Sequence, residues 1–189
     1  MVDLPINIVN YERSFYMSNF SVNATYYLRN AYAPNNRTLI TETNRKKETN
    51  SKLSQADSNA LKKAIRALQD YDYSKSESEV SSAEKTRFDK ELRAFIDTYN
   101  YAMESSSKST NRDIKNAGKS LKELAKKYED ELKDIGITKK TNGYLNLSSS
   151  ATSNLKLSAF GDMFGSSSNF LKEVRNYAGK IARHVDTYI

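Results

Sequence analysis

The clearest hydrophobic period in the chain runs from Ile114 to Ile135. Ile114, Ala117, Leu121, Leu124, Tyr128 and Ile135 keep three- and four-residue steps, broken only by Glu131, with Leu132 on the flank. This is an a/d seam over three heptads and predicts a helix over 112–135. A second stripe, Phe88, Leu92, Phe95, Tyr99 and Met103, predicts a helix over 83–110. Ser81 and Glu84 have the spacing of a capping box at its start. A third stripe, Phe170, Val174, Tyr177, Ile181, Val185 and Tyr188, predicts a helix over 167–188, capped from within Ser166–Asn169. Such seams bury only against other helices, so the three are expected to pack antiparallel as an elongated bundle or coiled coil.

Between the helix predicted over 112–135 and the one over 167–188 the period changes. Gly136 suits the left-handed residue that closes a helix. Ile135-Gly136-Ile137-Thr138 and the alternating Tyr144-Leu145-Asn146-Leu147 flank Asn142-Gly143, a favoured filling of a tight reversal. The segment reads as helix stop, strand, turn, strand, a small β-hairpin near 135–147 at one end of the bundle. Phe160, Met163 and Phe164 form an apolar patch that reads as a plug over the bundle's end. The fold class is therefore mainly all-α, with one small hairpin.

The first half of the chain carries weaker signals. Ile8, Tyr11, Phe15, Val22 and Tyr26 share one helical face, while Asn19, Asn23 and Asn30 oppose helix formation and Pro34 ends it. Residues 35–59 are polar, with Leu39, Ile40 and Leu53 as their sizeable apolar side chains, and read as a linker or loose arm. A short helix then covers Asp57–Tyr71 on Leu61, Ile65 and Leu68. The expected organisation is thus 1–56, an aromatic-rich segment and basic linker, followed by 57–189, a helical domain with a hairpin corner.

Composition changes this picture in two ways. Hydrophobic residues make up 38% of the 189, and mean hydropathy is −0.76. That is low for a compact domain, so the stripes are expected to be completed by a partner. Thirty Lys and Arg against 23 Asp and Glu leave a formal charge of +7. This raises a second possibility, a basic helical module for nucleic acid or an acidic partner, resting on the charge and on the cluster Arg37–Arg66. The aromatic residues of 1–33 have few cations between them, which disfavours a base-stacking platform.

Candidate chemistry is sparse. The chain has no cysteine and a single histidine, His184, so thiolate sites and a two-histidine zinc site lack their parts. Gly118-Lys119-Ser120 has the ending of a phosphate-binding loop, but Asp113 stands where its first glycine is needed and the pattern around it is helical. No run of eighteen apolar residues exists, so no membrane span is expected. No catalytic residue, cofactor or metal is expected either.

One resemblance rests on several pieces in order. Leu132-Lys133-Asp134-Ile135-Gly136-Ile137-Thr138, a polar turn with Gly143, and Leu145-Asn146-Leu147 resemble the C-terminal region of the bacterial flagellar filament-capping protein, hook-associated protein 2. Three further pieces keep that family's order: Phe95-Ile96-Asp97-Thr98-Tyr99-Asn100, the segment Phe160–Gly165, and the closing helix Phe170–Ile189. The resemblance covers roughly residues 85–189. It implies a non-enzymatic structural protein that works by association, with itself or another flagellar axial protein as partner. It further implies a homo-oligomer and a place in the flagellum reached by flagellar export; without the resemblance, the cytoplasm is the expectation. The expected association seam contains Leu121, Leu124, Phe170, Val174 and Ile181.

Overall fold

In the computed structural model, residues 22–148, 151 and 157–185 are described. Helix α1 (Val22–Ala31) stops ahead of Pro34, which opens a 3-10 turn over Pro34–Ile40. A single turn, α2 (Glu42–Arg45), leads to α3 (Asn50–Gln69), α4 (Ser82–Lys108), α5 (Arg112–Lys127) and α6 (Glu129–Asp134). Strands β1 (Ile137–Lys139) and β2 (Leu145–Leu147) follow, then α7 (Leu157–Phe164) and α8 (Asn169–Val185). The chain is therefore mainly helical with one small antiparallel sheet.

Helices α3, α4, α5 and α8 form a closed ring. Each packs on two neighbours, in the order α3, α4, α5, α8 and back to α3. Helices lie on the three apolar stripes at 82–108, 112–127 and 169–185, but the expected 112–135 helix is broken at Tyr128 (φ −107°, ψ 25°), and the separate α6 carries its last turns. The fourth, α3, corrects the sequence reading of 35–59 as a linker. It begins at Asn50, its first turn capped by the Thr49 hydroxyl accepting from the Lys52 amide at 3.2 Å. Leu53, Leu61, Ile65 and Leu68 are all buried on it. The expected division after residue 56 thus falls inside one continuous helix.

Caps set the other boundaries. Ser81 and Glu84 form the full capping box, the Ser81 amide donating to Glu84 Oε2 at 2.9 Å and the Glu84 amide to Ser81 Oγ at 3.2 Å. Asn111 Oδ1 caps α5 by accepting from the amides of Asp113 and Ile114. With only 109–111 between them, α4 and α5 must run antiparallel. Inside the ring, Phe95 packs edge-on to Phe164 and Phe170, with centroids 5.3 and 6.4 Å apart. Phe160 meets Phe88 at 5.0 Å, so α7 does close one end of the bundle.

The hairpin pairs Ile137 with Leu147, Thr138 with Asn146 and Lys139 with Leu145. The Lys140 amide donates to Tyr144 O beyond the strands, so the reversal itself is residues 141–143, with the Gly143 amide donating to Lys140 O and φ +90° at Gly143. Among the described residues only glycines take positive φ, so Asn142 does not adopt the mirror-image turn that Asn-Gly favours. Its position also differs from expectation. The Asn100 side-chain amide donates to Leu145 O and its oxygen accepts from the Leu145 amide, each at 2.9 Å. Asn100 lies well inside α4, so the hairpin runs along the bundle's flank instead of capping its end.

Candidate functional site

The most heavily organised polar site joins the first described segment to the bundle. Asp57 falls on the apolar stripe of α3, between Leu53 and Leu61, and is 0% exposed. Its two oxygens accept from Arg45 Nη1 at 2.9 Å and Nη2 at 2.8 Å, a fork-to-fork pair. Tyr32 donates its hydroxyl to the same carboxylate at 2.7 Å, and Arg45 Nη1 also donates to Leu39 O. The guanidinium lies 4.0 Å from the Tyr101 ring centroid. So α1, the 3-10 turn and α2 are all fastened to α3 and α4 through one buried carboxylate.

The electrostatics follow from burial. Desolvation works against the Arg45 charge, yet the hydrogen bonds and charge of Asp57 outweigh it, and the guanidinium is held above its ordinary range. Burial, reinforced by the Asp57 charge, raises the Tyr32 hydroxyl well above its usual value. Burial likewise pushes Tyr101 up to about 12, with the charge of Asp97 adding to it. One turn before Tyr101, burial raises the Asp97 carboxyl to about 7 against the opposing charge of Arg93.

Beside this cluster opens a cleft of about 440 Å³, lined among others by Arg45, Lys46, Tyr101, Glu104, Lys108 and Tyr144. Its charges are matched within the chain: Lys46 pairs with Glu42 at 2.8 Å and Lys108 with Glu104 at 2.5 Å. No group of three His, Cys, Asp or Glu that could hold a metal occurs among the described residues. The arrangement fastens the first described segment to the bundle.

The second feature is the outer face of α5. Lys115, Lys119, Lys122 and Lys126 recur at four, three and four residues, so they share one face, and all are exposed. The stem of Lys122 lies beside the hairpin turn, where a Cβ on Gly143 would stand 2.6 Å from Lys122 Cγ. No ion pair joins these four lysines to acids among the described residues. By contrast, α4 pairs Arg87 with Glu91 and Arg93 with Asp89. The Arg37–Arg66 cluster is also partly neutralised: Arg45 is buried on Asp57, and Lys52 pairs with Glu48 at 2.7 Å.

The expected association seam requires correction. Leu121, Leu124, Phe170, Val174 and Ile181 are buried inside the single chain, where α5 and α8 face each other. The physical reason is α3, whose apolar face supplies the wall that the low apolar fraction seemed to leave to a partner. Among the described residues one large apolar side chain is exposed, Tyr26 at 61%. Tyr11, Phe15, Tyr16 and Phe20 of the aromatic segment lie outside the described residues, as does the side chain of His184.

Sequence reasoning missed Tyr32, Arg45 and Tyr101. A signal was present at Asp57, an acid in step with Leu53, Leu61 and Ile65, which requires a buried cation. Reading Asp57 as the start of a helix hid it. The chain matches no family model, no curated protein and no solved structure.

Proposed function

We propose that this chain is a structural assembly protein that acts by protein–protein association, similar to the helical part of a flagellar filament cap. The observation that carries the reading is that the four pieces bearing the resemblance meet in one packed unit. Asn100 of the Phe95–Asn100 motif holds the hairpin by both backbone groups of Leu145. Tyr99 donates to Leu121 O at 2.6 Å, and Phe95 packs on both Phe164 and Phe170 of the two closing pieces. A motif whose residues tie helix, hairpin and closing helix together serves as a rigid scaffold, and a scaffold acts through its surfaces. The partner is another copy or another flagellar axial protein, met outside the cell after flagellar export.

The test is light scattering across a concentration series, paired with co-sedimentation of the chain with purified flagellar filaments. Oligomers, or protein pelleting with filaments, are expected. A strict monomer that stays in the supernatant overturns the reading.

A second reading, a basic module for nucleic acid or an acidic partner, is favoured by the unpaired lysine face of α5. Phosphate binding would fall steeply with salt. Retention of duplex DNA at low salt, lost when those lysines are replaced, would move the assignment there.

A further inference from the structure

The charge is not spread evenly over the bundle. Helix α5 has six basic and two acidic side chains, a net +4, and starts with Arg112 at the α4–α5 turn. At the other end, α6 has four acids and one lysine, a net −3. The loop 70–81, with Asp70, Asp72, Glu77 and Glu79 against Lys75, is also net −3. These two acidic segments share one end of the molecule. Helix α7 lies between them, with Gly161 against the Tyr73 side chain and with contacts to α6. The acids are exposed at Asp72, Glu77, Glu79, Asp130, Glu131 and Asp134. Asn50 Nδ2 donates to Lys108 O, which places the start of α3 beside the α4–α5 turn, at the far end from those acids.

We infer that copies of this chain associate end to end, the acidic end of one copy docking on the basic α4–α5 end of the next through Arg112, Lys115 and Lys119. The inference rests on the association reading above and names its partner and chemistry. A second copy fits better than a nucleic acid. A phosphate backbone laid along the α5 lysines would run directly into the acidic α6 that continues them, whereas a copy displaced along the bundle axis meets opposite charge. Among the described residues the apolar stripes are closed inside the monomer, and the contact inferred between the two ends is polar. The contact joins two different patches, so it propagates instead of closing on itself as a two-fold dimer would. Exposed ion pairs are individually weak, and the contact depends on several acting within one screening length.

The test uses the full chain in sedimentation velocity at about 10 mM salt, where screening reaches roughly 30 Å, and at about 0.15 M, where it reaches roughly 8 Å. Association is expected at the lower salt, weakening at least about tenfold at the higher. A basic-end variant, Arg112→Glu/Lys115→Glu/Lys119→Glu, and an acidic-end variant, Asp130→Lys/Glu131→Lys/Asp134→Lys, should each be monomeric alone. Mixed together they should form complexes, because the reversed ends attract. All six positions are exposed, and far-UV circular dichroism verifies the fold of each variant. Self-association that neither variant disturbs overturns the end-to-end contact and leaves the association reading in place. A wild-type monomer that still pellets with filaments does the same. A wild-type monomer that binds neither itself nor filaments removes both, and one that binds duplex DNA through Lys115 and Lys119 replaces both with the basic-module reading.

Discussion

At the scale of single residues, Asp57 carries the largest consequence. It is the shared acceptor of Arg45 and Tyr32, and Arg45 is only 8% exposed. Replacing one partner of a buried ion pair strands the other, at about 3–5 kcal/mol. Asp57→Ala is therefore expected to lower unfolding stability by about that much in urea titrations. Tyr32→Phe should cost about 1–2 kcal/mol, because the carboxylate keeps its fork with Arg45. The paired change Asp57→Leu/Arg45→Met should recover most of the loss, since apolar replacement of a buried pair is commonly near neutral.

Asp97 gives a pH prediction. Burial raises its folded-state carboxyl to about 7, far above the ordinary carboxylate range. Between about pH 4 and 7 the folded state therefore holds a proton that the unfolded state has released. Stability falls as pH rises through this window, and the penalty is complete above about 7. The side chain is partly exposed, so the effect is on the order of 1 kcal/mol, below what the full shift would give. Asp97→Asn should raise stability at pH 8 and flatten the slope between pH 5 and 7 in thermal melts. An unchanged slope would contradict the assignment.

At the scale of elements, glycine geometry and one amide define the hairpin. Gly136 has φ +79°, and a Cβ there would also stand 2.6 Å from the Ala151 Cβ. Gly136→Val is expected to cost about 2 kcal/mol or more, combining backbone strain with that clash. Asn100→Ala removes both hydrogen bonds that hold β2 to α4, at about 1–3 kcal/mol. Faster hydrogen exchange at the Leu145 amide, with the helical core unaffected, would locate the loss in the hairpin.

Between α4 and α5 a tight contact plays a similar part. A Cβ at Gly118 would meet Ser106 Oγ at 2.2 Å and Ser106 Cβ at 2.9 Å. Alanine is the better helix former by about 1 kcal/mol, yet Gly118→Ala should destabilise, because the clash forces the helices apart. Adding Ser106→Gly should restore part of the loss, and additive effects in urea titrations would sink this pairing.

At the scale of the whole molecule, the ring α3–α4–α5–α8 and the segment 22–49 share one core, reaching from Leu28 and Tyr32 to Ile181. Tyrosine signals are distributed over both parts, so near-UV and far-UV transitions in urea should coincide as one cooperative step. A separate early loss of near-UV signal would show that the Asp57 clamp opens independently of the ring.

Much of the bundle was legible because three apolar stripes obey a local rule. A 3.6-residue period fixes which side chains share a face, caps fix the starts of α4 and α5, and Gly136 closes α6, so these helices, α8 and the hairpin follow from neighbours in sequence, whereas the break at Tyr128 between α5 and α6 does not. The division of roles among faces was not legible, because it depends on contacts far apart in the chain. Asp57 could be read as a cap until Arg45 and Tyr32 were found on it, 12 and 25 residues away. The hairpin's place on the flank depends on Asn100, 45 residues before its partner. Leu121, Leu124, Phe170, Val174 and Ile181 show the same limit most plainly. Their spacing marks them as an apolar seam, but a seam between copies and a seam within one chain have the same spacing. Only the tertiary structure, by setting α3 into the ring, decides that they are buried within a single molecule.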